Sequence, residues 1–361
     1  MRPGKHGDIL QWLKEAYRGK SVLVTGHTGF KGSWLTLWLR ELGAKVAGYA
    51  LDPRTPRDNF VVSGVSDSIH DIRGDIRDND KLSKVFADYA PEIVFHLAAR
   101  AMVLDCYKYP KETYDVNVGG TVNVLDNCRF SESVKSVVII TSDKCYDEND
   151  RRFGGYIEYD RLGGIDPYSS SKACAELVTA AYRKSFFKDR GLATVRAGNV
   201  IGGGDWCANR IVPDCIRALE AGIPIRVRNP LASRPWQYVL EPLAGYLILG
   251  ARLTENPSAY SEAWNFGPED DSIIKVKDLV ELVLKYWGSG TWEAIGETDA
   301  PHEARFLALN SYKARTRLNW RSRLTLEDAV KQTVAWYKRS NKDQDRSVFC
   351  LNEIRTYQGH A

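Results

Sequence analysis

Val22-Leu-Val-Thr-Gly26-His-Thr-Gly29-Phe-Lys-Gly32 is the most informative segment of this chain for predicting its fold. An apolar run typical of a buried strand leads into a glycine-rich bend, and the apolar segment 33–39 continues as a predicted helix. Gly26 permits the tight turn, Gly29 lets a pyrophosphate approach the backbone, and Gly32 allows the helix to pack closely on the strand. The free N–H groups that begin the helix then face the pyrophosphate.

A second predicted strand, 45–51, ends at Asp52, which lies 20 residues after Gly32. This spacing suits a carboxylate that binds the adenosine ribose, so the turn has the context of a dinucleotide-binding fingerprint. Asp52 would repel a 2′-phosphate, which favours NAD. Lys31 and Arg54 lie close enough in sequence to offset that repulsion, so NADP stays open as the alternative.

Strand and helix patterns alternate between residues 21 and 195. Strands are predicted at 21–25, 45–50, 68–72, 92–97, 136–141 and 191–196, and helices at 30–42, 79–88, 112–129 and 167–186. This order predicts an α/β fold with a Rossmann-like, doubly wound parallel sheet. After residue 200 the pattern becomes irregular, with helices predicted at 212–221, 240–253, 275–287 and 325–339.

The predicted domain organisation follows from that change of pattern. Residues 1–200 form the dinucleotide-binding domain, and 201–340 form a smaller, mixed α/β lobe for the substrate. The polar segment 341–361 is expected to fray or to lie on the surface.

Candidate binding residues follow the strands at one edge of the predicted sheet, where ligands of such folds bind. We predict that the cofactor is bound by Gly26, Thr28, Gly29, Phe30, Lys31, Gly32, Asp52, Asp75, Ile76, Leu97, Ala98, Ala99, Tyr168 and Lys172.

Tyr168 and Lys172 are four residues apart on a predicted helix and therefore share a face. A nearby ammonium favours the phenolate, so we expect Lys172 to lower the pKa of Tyr168 below its usual value of about 10. Such a tyrosine can take a proton from a sugar or alcohol hydroxyl. The pair is short enough to arise by chance on an amphipathic helix, and the glycine-rich turn upstream favours the catalytic interpretation.

The composition excludes several classes of protein. The 361 residues are 43% hydrophobic and 27% charged with a formal charge of +4, and no arginine-rich run predicts nucleic-acid binding. No apolar stretch approaches the roughly 20 residues of a membrane span, and residues 1–20 do not resemble a secretory signal. The seven cysteines include no Cys-x-x-Cys pair, so we predict a cytoplasmic enzyme without a metal.

The glycine-rich turn and the Tyr168/Lys172 pair resemble those of the extended short-chain dehydrogenase/reductase superfamily, in its branch that modifies nucleotide sugars. Within that branch the chain is most similar to the CDP-glucose 4,6-dehydratases, and the similarity extends over about residues 17–340. The stretches that carry it are 26–34, 141–146, 197–206, 234–242 and 263–268, together with His302 and Glu303.

The resemblance implies a redox-neutral dehydration at C4, C5 and C6 of a sugar. It assigns Tyr168 as the base toward the 4-hydroxyl, Asp143 as the acid toward the 6-hydroxyl and Lys144 as the base toward C5. Ser142 would hydrogen-bond the 4-oxygen. For the diphosphate it implies Arg234, Asn199 and, as a third choice, Arg305.

One segment departs from the pattern of the family. The run 100–106, Arg-Ala-Met-Val-Leu-Asp-Cys, replaces the usual Gln-Pro-Leu-Val-Arg, in a loop that lines the sugar end of the site in relatives. Two other functions therefore stay open. One is a 4-epimerase or a dehydratase of another nucleotide sugar, and the other is a catalytically inactive sugar-nucleotide binder.

A homodimer or homotetramer is also implied, because the helices at 112–129 and 167–186 pair across a two-fold axis in relatives. Candidate seam positions are Val122, Leu125, Leu177 and Ala180, and packing on the chain's own sheet is the alternative for each.

Overall fold

The main sheet contains seven parallel strands. The computed structural model describes residues 7–148, 154–296, 307–339 and 346–359. Twelve strands lie in this part of the chain: β1 Ser21–Thr25, β2 Lys45–Ala50, β3 His70–Arg73, β4 Ile93–His96, β5 Ser136–Ile140, β6 Gly191–Ala197, β7 Asn199–Ile201, β8 Ile225–Val227, β9 Ser233–Tyr238, β10 Ala263–Phe266, β11 Ile273–Lys275 and β12 Trp292–Ala294. The order in the main sheet is β10-β6-β5-β4-β1-β2-β3. All six pairings are parallel, which confirms the predicted Rossmann-like sheet.

The helices cover both faces of this sheet. They are α1 Gly7–Tyr17, α2 Phe30–Glu41, α3 Asn59–Val62, α4 Asn79–Tyr89, α5 Val103–Lys108, α6 Pro110–Tyr114, α7 Gly120–Phe130, α8 Pro167–Phe186, α9 Ile211–Glu220, α10 Leu240–Glu255, α11 Pro257–Tyr260, α12 Val276–Trp287, α13 Tyr312–Arg317, α14 Leu326–Lys338 and α15 Arg346–Gly359. One apolar cluster packs α4 and α7 on the sheet, and a larger one packs α2 and α10 on the opposite face. Within the described residues, no helix is both long enough and apolar enough to cross a membrane.

The predicted helix 112–129 is interrupted. It consists of α6, a π-helical turn at Asp115–Gly119 and α7. A π-turn inserts one extra residue into the helix and changes the direction of nearby side chains, and such turns are frequent at functional sites.

The chain after residue 200 forms two small sheets and also contributes to the layers of the main sheet. β7, β9 and β11 form a small sheet, and β8 pairs with β12. α10 and β10, however, belong to the layers of the main sheet. The division at residue 201 stays a prediction, because elements from both sides of it share one apolar cluster.

The expectation that the C-terminal segment frays is wrong for the described residues 346–359. These residues form α15, whose Cys350, Ile354 and Tyr357 side chains are buried in the main apolar cluster. Arg355 forms an ion pair with Glu41 of α2 at 2.7 Å. A segment that is polar on average packs here because Cys350, Ile354 and Tyr357 recur at helical spacing and point to the same side.

Candidate active site

The glycine-rich turn has the geometry that the sequence predicted. Gly26 has a positive φ of 76°, and a Cβ there would lie 2.6 Å from the amide nitrogen of Ala98. A Cβ on Gly32 would lie 2.1 Å from the carbonyl oxygen of Gly26, so only glycine permits this contact between helix and turn. Gly29 precedes α2 without a capping side chain. The first N–H groups of this helix are therefore available to an anion.

A cleft of about 390 Å³ opens from this turn along the carboxyl ends of the strands. Asp52 and Asp75 lie at the ends of the second and third strands, and Leu97, Ala98 and Ala99 follow the fourth. Every one of the fourteen predicted cofactor-binding residues lines this cleft. A glycine cradle at a helix N-terminus, with a carboxylate one strand away, fits a dinucleotide.

A second cavity, of about 380 Å³, adjoins the first cleft. We call the first the cofactor cleft and the second the substrate cavity. Tyr168 lines both cavities, so its phenol lies where a cofactor and a substrate would meet. Ser142, Asp143 and Lys144 line the second cavity, where they form a short turn directly after β5. The structure thus brings together, around one cavity, four of the residues that were predicted from the sequence to be catalytic.

The helix α8 begins immediately before Tyr168. The Asp166 carboxylate caps this helix by accepting a hydrogen bond from the Ser169 amide at 3.0 Å, and Pro167 occupies the first turn. Lys172, one turn further on, is 6% exposed and donates to the carbonyl oxygen of Ile140 at 3.2 Å. α8 therefore holds Tyr168 and Lys172 against the carboxyl end of β5.

The expectation that the pKa of Tyr168 lies below its usual value is wrong for this structure. Burial raises the pKa of Tyr168 to about 12, although a hydrogen bond with Ser142 acts in the opposite direction. Burial and the neighbouring Lys31 ammonium lower the pKa of Lys172 to about 8. Spacing on a helix predicted the proximity of the two groups, but not that both charged forms lose hydration in the buried site.

Asp143 is suited to donate a proton. Its side chain is 5% exposed and accepts a hydrogen bond from the Ser142 hydroxyl at 2.8 Å. Burial raises the pKa of this carboxyl, while the Ser142 hydrogen bond and the Lys144 ammonium partly oppose the shift. The neutral acid is therefore more populated than it would be at an exposed aspartate.

The neighbouring Thr141 hydroxyl is directed away from the cavity, because it donates to the Glu176 carboxylate at 2.6 Å. This contact supports the choice of Ser142 rather than Thr141 as the hydroxyl near the substrate.

The structure describes two of the three residues that were predicted to bind the diphosphate. Asn199 and Arg234 line the substrate cavity, while Arg305 lies outside the described residues. The divergent segment also contributes to this cavity, through residues 101–104.

Sequence reasoning missed one residue of the site, Arg210, and one residue that supports it from outside the cavities, Asn117. Arg210 lines both cavities and forms an ion pair with Asp205 at 2.8 Å, and nothing distinguished it from other loop arginines in the sequence. Asn117 lies in the π-turn and donates to the Ser171 hydroxyl at 2.8 Å. It also exchanges hydrogen bonds with the backbone of Arg100, at 2.8 and 3.1 Å, so it links α8 to the loop after β4.

Residues 22–266 match the NAD dependent epimerase/dehydratase family, and the chain belongs to this family. The predicted NAD cofactor agrees with this membership and is confirmed. The chain is 46% identical over 352 residues to the CDP-glucose 4,6-dehydratase of Salmonella typhimurium, a match that covers 95% of this chain and 98% of that protein. It is 27% identical to the dTDP-glucose 4,6-dehydratase of Streptomyces antibioticus, over 88% of this chain and 92% of that one.

Solved structures share the fold. The dTDP-glucose 4,6-dehydratase of Bacillus anthracis in complex with NAD superposes with a TM-score of 0.76 at 22% identity, covering 92% of this chain and all of that one. UDP-glucose 4-epimerase of Thermotoga maritima gives a TM-score of 0.76 at 22% identity, covering 88% of this chain and 98% of that one. At this level of identity the likeness concerns the fold alone.

Proposed function

We propose that this protein is a nucleotide-sugar 4,6-dehydratase that converts CDP-glucose to CDP-4-dehydro-6-deoxyglucose and water. The observation that carries the proposal is the buried Asp143 carboxyl, hydrogen-bonded to Ser142 in the cavity that Tyr168 also lines. A 4-epimerase needs the tyrosine and a hydroxyl but has no use for an acid beside them. The 46% identity to a CDP-glucose 4,6-dehydratase over nearly the whole chain supports cytosine as the base of the nucleotide.

The cofactor cleft would hold NAD through the Gly26–Gly32 turn, Asp52 and Lys172. When bound, NAD supplies a temporary acceptor for the sugar hydride, so the net reaction needs no external oxidant. Tyr168 accepts the proton of the 4-hydroxyl, and Ser142 hydrogen-bonds the same oxygen. Since burial raises the pKa of Tyr168 to about 12, the basic form has to be stabilised by the cations around it, Lys172 and Arg210.

Elimination uses the turn after β5. A ketone at C4 acidifies the proton on C5, which Lys144 removes in this proposal, while Asp143 protonates the departing 6-hydroxyl. Both residues line the substrate cavity on the same turn, so both can contact a sugar that binds there. Arg234, Asn199 and Arg210 would bind the diphosphate there, because guanidinium groups suit phosphate oxygens.

The experiment is the incubation of purified protein with CDP-glucose and NAD. The expected product is a 4-keto-6-deoxy sugar, detected by its absorbance in alkali, without net formation of NADH. CDP-, dTDP-, GDP- and UDP-glucose are compared in parallel. Absence of product with all four would end the proposal, and a preference for another base would correct the substrate.

The oligomeric state is a further part of the proposal. Leu177 on α8 is 60% exposed, and Phe130 at the end of α7 is 74% exposed, which suits a helix-to-helix seam between two copies. Leu125 does not belong to such a seam, because its side chain is fully buried against the chain's own sheet. Light scattering during gel filtration should give a mass of two or four chains. A monomer mass would refute this part.

A further inference from the structure

A buried ion pair lies directly behind the proposed active site. Glu176 is on α8, two turns after Tyr168 and one turn after Lys172, so it continues the same helix face. Its partner, Arg196, is on the neighbouring strand β6, with 2.8 Å between Oε2 and Nη2. Both side chains are only 3% exposed, and neither lines the substrate cavity or the cofactor cleft.

Both oxygens of the Glu176 carboxylate accept two hydrogen bonds each. It accepts from the Thr141 hydroxyl at 2.6 Å, the Thr194 hydroxyl at 2.7 Å and two nitrogens of Arg196 at 2.9 and 2.8 Å. Burial acts to raise the pKa of Glu176, but Arg196 and the two hydroxyls outweigh it, and the pKa is lowered. The carboxylate is therefore ionised and fixed in one orientation.

Arg196 extends the network to Tyr146, at the far end of the turn that contains Asp143 and Lys144. Its Nη1 donates to the Tyr146 hydroxyl at 2.6 Å, and that hydroxyl donates to the side-chain oxygen of Asn265 at 2.8 Å. The turn Asp143–Cys145, with its cap Ser142, lies between Thr141 and Tyr146. One ion pair thus binds the residue before this segment and the residue after it.

We propose that Glu176 and Arg196 are positioning residues that fix Asp143 and Lys144 relative to Tyr168 and Lys172. This inference rests on the proposed dehydratase function. In that function Tyr168 and Lys172 act in the oxidation at C4, and Asp143 and Lys144 act in the elimination of water. The two groups lie on separate elements, α8 and the turn after β5, and the ion pair joins those elements. Its role is to keep both groups aligned on a single bound sugar, since a displacement of about 1 Å can cost on the order of 10²-fold in rate.

A purely structural role is the competing explanation, because breaking a buried ion pair destabilises a protein wherever it lies. Stability and positioning differ in what they change. A loss of stability reduces the amount of folded enzyme. In the enzyme that remains folded, it leaves the ratio of the oxidation rate to the elimination rate unchanged. Lost positioning slows elimination relative to oxidation within the folded enzyme.

Single-turnover kinetics separates these two roles. With CDP-glucose in the presence of NAD, formation of enzyme-bound NADH reports oxidation at C4, and its decay reports elimination and the return of the hydride. The variants are Glu176→Gln, which removes the charge, and Thr141→Val and Tyr146→Phe, which each remove a contact at one end of the turn. The matched control is Glu241→Gln, since Glu241 is fully buried and accepts hydrogen bonds from Tyr357 at 2.6 Å and from the amides of Arg323 and Leu324, none of which belongs to the turn.

We expect the three network variants to slow NADH decay on the order of tenfold, while NADH formation per folded active site changes much less. Glu241→Gln should lower the melting temperature and leave the ratio of the two rates unchanged. Thr141→Val and Tyr146→Phe keep the ion pair itself, so they provide a test even where Glu176→Gln does not fold.

An unchanged ratio in Thr141→Val and Tyr146→Phe would overturn the inference, as would a ratio altered equally by Glu241→Gln. If the wild-type protein converts CDP-glucose and the variants show either result, only the inference fails. If the wild-type protein forms neither NADH nor product, the proposed function fails and the inference fails with it.

Discussion

Replacing Asp143 by Asn should separate oxidation from elimination. Asparagine has nearly the same shape and keeps an oxygen that can accept the Ser142 hydrogen bond, which is 2.8 Å long in the structure. The amide cannot donate the proton that the departing 6-hydroxyl requires. The geometry of the site should therefore be preserved while its acid is lost.

The expected magnitude follows from the role of the residue. A positioned general acid contributes about 10²–10⁴-fold, which corresponds to about 3–5 kcal/mol of transition-state stabilisation. Because burial raises the pKa of Asp143, the neutral acid is more populated than at an exposed aspartate, and we expect the loss to be in this range. Product formation should fall accordingly, while oxidation at C4 continues.

The assay follows absorbance at 340 nm together with the 4-keto-6-deoxy product. Asp143→Asn should accumulate bound NADH up to about one equivalent per active site, whereas Tyr168→Phe should form none. Near-normal product formation by Asp143→Asn would refute the assignment of the acid. Equal loss of NADH formation and product would also refute it, because the residue would then act before elimination.

Three further predictions follow from the structure. The rate of NADH formation should rise with pH, since Tyr168 has a pKa of about 12, and the rise should flatten as Lys172 deprotonates near its pKa of about 8. The bend should disappear in Lys172→Met, and a flat profile would contradict the assignment. Gly29→Ala should weaken NAD binding about tenfold in a fluorescence titration without lowering the melting temperature, because an added Cβ meets only the Gly26 oxygen at 3.3 Å. Equal loss of stability would show that the residue acts through the fold. Tyr357→Ala should lower the melting temperature by about 4–6 °C, since it opens a cavity and removes a hydrogen bond to Glu241, while Val348→Ala, at an exposed position, should change it little. Equal melting temperatures for the two variants would refute the packing role of α15.

The local patterns of the sequence were sufficient for the cofactor side of the site. The Gly26–Gly32 turn, Asp52 and the residues after the third and fourth strands all line one cleft, as predicted. They could be predicted because strand order and glycine spacing impose this arrangement through backbone geometry that acts within a few residues. Tyr168 and Lys172 could be placed together for the same reason, by the period of a helix.

The electrostatics of the site could not be obtained in this way. The pKa of Tyr168 is raised rather than lowered, because it depends on how much water the whole fold excludes from the phenol. Arg210 and Asn117 were missed because long-range packing and a π-turn bring them to the site. The burial of α15 was missed because polar composition does not reveal which three side chains face the core.

The class of the sheet, the cofactor turn and the candidate proton-handling groups could be predicted from residues that lie close together in the chain. How these groups are ionised and how they are held in place follow from the fold as a whole. Glu176, Arg196 and Thr141 are 20 to 55 residues apart in sequence, yet they form one buried network at distances of 2.6 to 2.9 Å. Contacts of this kind arise from the packing of α8 against β5 and β6, which no local pattern encodes.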